Sequence, residues 1–187
     1  IHIPSFNSPF GKGRPGWHIE CSAMAIATLG EQIDIHGGGI DLIYPHHEAE
    51  IAQSEGATGK IPFAKFWMHT APVSYRGEKM SKSLGNLVMI SELLKKCSAN
   101  VVRWHLISHH YREKFEFFEE DLEKAKVEFC KVLNYVENQK SNNKSDEEVL
   151  NQFMSALEND LNTPLALKII KTTCRNQGST LIIKTCL

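Results

Sequence analysis

The sequence predicts an α/β domain followed by an α-helical bundle. Two observations carry that expectation. A glycine run, Gly37-Gly38-Gly39, stands between a short apolar strand signal and a helix signal. Strand, loop and helix in that order around glycines suggest a sheet whose ligands sit at the carboxyl ends of its strands. From Glu119 to Gln139, the positions Leu122, Ala125, Phe129, Val132, Leu133 and Val136 trace one stripe, the pattern of a helix with a single buried face.

Composition bounds the rest. The 187 residues allow one domain with a proper core, or parts of two. Hydrophobic content of 42% and charged content of 23% are ordinary for a globular protein. No apolar run approaches a membrane span, and the N-terminus has no signal-peptide pattern. A formal net charge of −1 gives no global basic field, so nucleic-acid contact would need local basic patches. Five scattered cysteines, Cys21, Cys97, Cys130, Cys174 and Cys186, argue against a disulfide framework and fit a reducing cytoplasm. The chain opens Ile1-His2-Ile3-Pro4 without an initiator Met, so it is expected to be a piece of something longer.

Residues 1 to 16 are turn and loop chemistry, rich in Pro, Gly, Ser and Asn. A helix is expected from Cys21 to Leu29, with Gly30 as its stop. Gln32 to His36 reads as a short strand with Ile33 and Ile35 on one face. Pro45 suits the first turn of the next helix, which runs to about Ser54 with Gly56 beyond it. Residues 61 to 76 read as a buried strand or loop with a turn at Arg76-Gly77, and helices follow after Asn86. Ser91 and Ser98 are candidate N-caps. Lys140 to Ser145 is a polar linker. Val149, Leu150, Phe153, Met154 and Leu157 form another stripe, broken near Asn162-Thr163-Pro164, where a last helix starts. The second part therefore reads as antiparallel helices.

Four constellations invite chemistry. Cys21, His46 and Glu50 offer the donor types zinc accepts, and His46 and Glu50 are four apart on one helical face. A surface His–Glu pair and a core cysteine are the plain alternative. The glycine run with Asp41 could let a nucleotide lie against the backbone, or could be a tight turn. Lys79-Met80-Ser81-Lys82-Ser83 could neutralise charge on a pyrophosphate, or be a solvated turn. His105, His109 and His110 could suggest a second metal site, but their apolar neighbours Trp104, Leu106 and Ile107 favour helix packing.

The words around these residues are specific. Gly13-Arg14-Pro15-Gly16-Trp17-His18-Ile19-Glu20-Cys21-Ser22-Ala23-Met24 resembles a signature block of the cysteinyl-tRNA synthetase family. So do Asp34 to Leu42 and Pro45 to Ser54. Lys79 to Ser83 matches, letter for letter, the KMSKS signature of class I aminoacyl-tRNA synthetases. Ser108 to Arg112 and Asp160 to Pro164 are similar to further family segments.

The resemblance implies a fold: the C-terminal part of a Rossmann-type catalytic domain in residues 1–62, a connecting domain with the KMSKS loop in 63–118, and the start of a helical bundle in 119–187. It implies one zinc ion per subunit on Cys21, His46 and Glu50, with a fourth cysteine ligand outside this chain. Trp17, His36 and His47 are implied in the cysteine pocket, Gly39 and Asp41 at the ATP ribose, and Lys79 and Lys82 at the transition state, Lys82 also binding ATP. The implied activity is activation of cysteine by ATP, with Mg2+, and transfer to tRNA(Cys), by a cytoplasmic monomer with no membrane association.

Departures from the family are expected to matter. The chain has no HIGH-like segment, and Thr180 to Leu187 reads as an altered end. Two other readings compete: a mycothiol-pathway ligase that joins cysteine to an amino sugar, and a non-catalytic binding fragment or pseudoenzyme. Glu50 and Asn162-Thr163-Pro164 lean toward the synthetase.

Overall fold

The computed structural model describes residues 4–81, 83–138, 147–178, 180 and 183. The chain divides into two compact units, Ile1–Ala71 and Pro72–Leu187.

In the first unit, β1 (Phe6–Ser8) and β2 (Gly11–Gly13) form a small antiparallel hairpin. Helix α1 (Trp17–Leu29) starts after Gly16, four residues earlier than expected, and ends where Gly30 at φ 101 turns the chain out. Strand β3 (Ile33–Gly39) then pairs in parallel with β4 (Ala64–Thr70), and α2 (Glu48–Thr58) is the crossover between them. The result is one βαβ unit with α1 packed on α2. Gly59, in the left-handed region at φ 71, ends α2, so the helix runs through Gly56 instead of stopping at Ser54.

Two expectations are corrected here. The glycines are not a turn after the strand; they are its last three residues, paired with Met68, His69 and Thr70. Pro45 does not open α2: it lies in an irregular helical turn, Ile43–His47, in which Tyr44 is extended. The core of this unit is Ile33, Phe63 and Ala64, with Ala25 and Trp67 against it. Ile35 does not share the burial of Ile33. It is 67% exposed beside its strand partner Phe66 at 68%.

In the second unit, β5 (Val73–Tyr75) lies between β6 (Glu78–Lys79) and β7 (Phe115–Glu116), with the expected turn at Arg76 and Gly77, both at positive φ. Five helices follow among the described residues: α3 (Ile90–Lys96), α4 (Ala99–Ile107), α5 (Glu119–Asn138), α6 (Glu147–Glu158) and α7 (Thr163–Arg175). Ser98 caps α4 through the Val101 amide, and Asn162 caps α7 through the Leu165 amide, with Pro164 in the first turn. Ser91 is not a cap; Met89 stands at that position. The α5 stripe is buried as its spacing requires, and Ala125, Val132 and Val136 pack with Phe153, Ala166, Leu167 and Ile170.

The α/β part is thus a section of a Rossmann-type sheet, and the following part is a helical bundle. Strand β4 belongs with β3 by its pairing, so the first unit extends to Ala71, past the expected domain limit at residue 62. The expected linker at 140–145 lies outside the described residues, as does 180–187 apart from Thr180 and Ile183. Among the described residues no helix is long and apolar enough to cross a membrane.

Candidate metal centre and amino-acid pocket

Four segments of the first unit converge. Helix α1 contributes Trp17, His18 and Cys21; β3 contributes His36; the irregular turn contributes His46 and His47; and the first turn of α2 contributes Glu50. The ligand atoms of Cys21, His46 and Glu50 all lie within 4.8 Å of one another. The same holds for His36, His47 and Glu50.

Glu50 is the centre of the arrangement. It is 0% exposed. His46 Nε2 lies 3.8 Å from its Oε1, and His36 Nε2 and His47 Nε2 lie 3.0 and 3.9 Å from its Oε2. Neither carboxylate oxygen accepts a well-directed hydrogen bond among the described residues. A buried carboxylate left in that state is costly unless a cation completes its surroundings. Thiol, imidazole and carboxylate around one point are donors that zinc takes in a tetrahedron, so the residues fit a zinc ion. Without a cation, burial first, then the charges of Glu50 and Glu20, raise the Cys21 thiol pKa.

Aromatic neighbours stand around this point. Trp17 stacks on His46 at 4.3 Å with the planes 24° apart. His47 meets His36 edge-on at 4.8 Å and Trp67 at 5.1 Å. Its Nδ1 lies 2.8 Å from His69 Nε2. Burial, and then the neighbouring imidazoles of His36, His69 and His46, push the His47 pKa down to about 4, so it is neutral near pH 7. Trp17, His36 and His47, expected in the amino-acid pocket, are therefore brought together with the donor set. Three further residues of the cluster, His18, Trp67 and His69, were not singled out from the sequence. His18 had a signal, standing three residues before Cys21 on the same helical face. His69 had none, because it joins the site through its pairing opposite Gly38.

Small size in the glycine run serves close approach. A Cβ on Gly38 would lie 2.9 Å from His47 Cε1 and 3.0 Å from Leu42 Cδ1. One on Gly39 would lie 2.5 Å from Asp41 Oδ1, which puts the Gly39 backbone against the exposed Asp41 carboxylate.

In the second unit, Lys79 ends β6, and Asn86 ties down the loop that follows. The Asn86 side chain accepts from the Ser81 amide at 2.9 Å and donates to the Lys79 carbonyl at 3.3 Å. Lys82 lies outside the described residues. Among the described residues the three downstream histidines form no metal-ligand cluster. His105 is buried edge-on to Phe115 and Phe117, His109 stacks on Phe115 at 3.9 Å, and His110 reaches the Asp160 carbonyl at 3.0 Å. His105 and His109 pack against aromatic rings as expected, whereas His110 makes a polar contact.

The family model of the tRNA synthetases class I (C) catalytic domain matches residues 2–127. The chain belongs to that family. Curated proteins similar to it include the cysteine--tRNA ligase of Legionella pneumophila strain Corby, 51% identical over 170 residues, covering 89% of this chain and 37% of the relative. The cysteine--tRNA ligase of Carboxydothermus hydrogenoformans is 48% identical over 175 residues, covering 88% and 37%. This class I synthetase chain therefore spans little more than a third of the length of those relatives. Among solved structures, a LeuRS–tRNA–LeuAMS ternary complex from Agrobacterium radiobacter K84 aligns with a TM-score of 0.66 at 13% identity, covering 97% of this chain and 31% of that one. Mycobacterium tuberculosis methionyl-tRNA synthetase with methionyl-adenylate aligns at 0.51 and 18% identity, covering 76% and 32%. These two share the class I fold with this chain.

Proposed function

We propose that the protein carrying this chain is a cysteine--tRNA ligase. The observation that carries the reading is the meeting of Cys21, His46 and Glu50 beside Trp17, His36 and His47. Curated relatives of that name, at 51% and 48% identity, support it. A cysteine carboxylate oxygen attacks the α-phosphorus of ATP, the bond to the β-phosphate oxygen breaks, and pyrophosphate leaves. The terminal ribose hydroxyl of tRNA(Cys) then attacks the activated carbonyl, and AMP leaves.

The residues divide the work. Cys21, His46 and Glu50 would hold zinc, which would supply a borderline-soft Lewis acid that prefers a thiolate to a hydroxyl and so would separate cysteine from serine. Trp17, His36 and His47 wall the amino acid and exclude water. Gly39 and Asp41 meet the ribose. Lys79 and Lys82 neutralise charge that builds on pyrophosphate, with Mg2+ on the ATP. Positioning and charge neutralisation carry the rate. We place the enzyme in the cytoplasm as a monomer; the free cysteines Cys21, Cys97, Cys130 and Cys174 support the reducing compartment.

The test is cysteine-dependent ATP–pyrophosphate exchange and tRNA charging by the full-length protein. Charging of an amino sugar but not of tRNA contradicts the reading in favour of a mycothiol-pathway ligase. The 187-residue chain alone is expected to give no measurable exchange, as a non-catalytic piece of the enzyme. Robust exchange from the purified chain overturns that expectation.

A further inference from the structure

We propose that His18 is the positioning residue of the metal centre: it accepts the Nδ1 proton of His46 and thereby presents the bare Nε2 of His46 toward Glu50. The inference rests on the zinc-site reading above.

His18 Nδ1 and His46 Nδ1 lie 2.7 Å apart. A contact that short between two ring nitrogens needs one proton between them, and there are two ways to place it. If His18 donates, His46 keeps its own proton on Nε2, the nitrogen that faces Glu50 Oε1 at 3.8 Å. A protonated Nε2 cannot be a ligand. If His46 donates, its Nε2 carries a lone pair, and thiolate, imidazole and carboxylate all face one point. Only the second arrangement leaves the donor set whole. It also follows the usual pattern, in which a metal-binding imidazole donates its other N–H to a fixed acceptor.

The ring has little freedom to escape this choice. His46 is 4% exposed, and Trp17 stacks on its face. A half-turn of the ring would move Nδ1 away from His18 and lose the hydrogen bond. Helix α1 thus does two jobs from one face. Cys21 supplies a ligand, and His18, three residues earlier, orients a ligand from another segment.

The test uses zinc and cobalt(II) on the purified full-length protein. His18→Ala is expected to weaken zinc binding about 10- to 100-fold, measured by competition with a chromogenic chelator. The same variant alters the visible cobalt(II) spectrum. His18→Asn, whose Oδ1 can replace the acceptor, restores affinity to within a few-fold. Unchanged affinity and spectrum in His18→Ala, alongside loss in Cys21→Ala, overturn the role of His18 and leave the donor set standing. Equal zinc binding by wild type and Cys21→Ala refutes the donor set itself. Nitrogen-15 NMR of the zinc-loaded wild-type full-length protein decides the tautomer without any variant. A protonated Nδ1 on His46 supports the proposal, and zinc on Nδ1 overturns it.

Discussion

Replacing Gly38 by alanine puts a methyl group where the structure has no room. The added Cβ lies 2.9 Å from His47 Cε1, 3.1 Å from His47 Nε2 and 3.0 Å from Leu42 Cδ1. Carbon atoms in contact prefer about 3.5–4.0 Å, so the overlap is roughly half an ångström or more. His47 cannot yield cheaply: its Nδ1 is tied to His69 at 2.8 Å, and its ring is set against His36 and Trp67. Overpacking of this kind costs about 1–3 kcal/mol. With a urea slope of about 2 kcal/mol per molar, a 2 kcal/mol loss lowers the unfolding midpoint by about 1 M. Gly39→Ala is the internal comparison. Its Cβ meets Asp41 Oδ1 at 2.5 Å, the far end of an exposed side chain rather than a ring held on several sides, so its midpoint falls less than that of Gly38→Ala. Urea titrations followed by tryptophan fluorescence, with Trp17 and Trp67 both reporting from the first unit, measure the two variants. Equal midpoints for wild type and Gly38→Ala refute the close-approach explanation of the glycine run.

Other expectations follow from the same geometry. Arg112 and then Tyr111 hydrogen-bond to Asp160 and hold its carboxyl down at about 2, below its ordinary 3.8. A lowered carboxyl pKa gives stability that is complete above the unfolded value and is lost as pH falls toward 2. The urea-midpoint gap between wild type and Asp160→Asn should therefore be constant above about pH 5 and close toward pH 2; a gap that persists at pH 2 contradicts the pairing. Asn86→Asp keeps an acceptor for the Ser81 amide but loses the donor to the Lys79 carbonyl. It should speed amide exchange through the loop without changing the global unfolding midpoint, which hydrogen-exchange mass spectrometry checks. Ile35→Thr with Phe66→Thr removes an exposed apolar pair on a sheet face that parallel sheets ordinarily cover. If this face drives self-association, light scattering of the purified chain falls with the urea midpoint moving little; undiminished scattering refutes that role for Ile35 and Phe66.

What the sequence disclosed divides along physical lines. Helix α5 was legible because burial on one face writes its period into the chain, and Leu122, Ala125, Val132 and Val136 are buried as spaced. The ends at Gly30, Ser98 and Asn162 were legible because backbone geometry and capping select those residue types. The glycine run misled because residues without side chains carry no alternation, so an extended strand end and a turn look alike. Met89 took the place expected for Ser91, showing that a helix can start without a side-chain cap. At the site, the donor types could be nominated from sequence, but their convergence could not, since it needs α1, β3 and α2 packed together. His69 enters by strand register, which only the fold reveals.

Zinc K-edge absorption spectroscopy of the full-length protein, loaded with zinc, tests the central claim most directly. The account predicts that Cys21→Ala removes one sulfur scatterer near 2.3 Å. It also predicts that adding L-cysteine to the wild type adds one sulfur at that distance, while L-serine adds none. A spectrum unchanged by Cys21→Ala, or the same with serine as with cysteine, contradicts it.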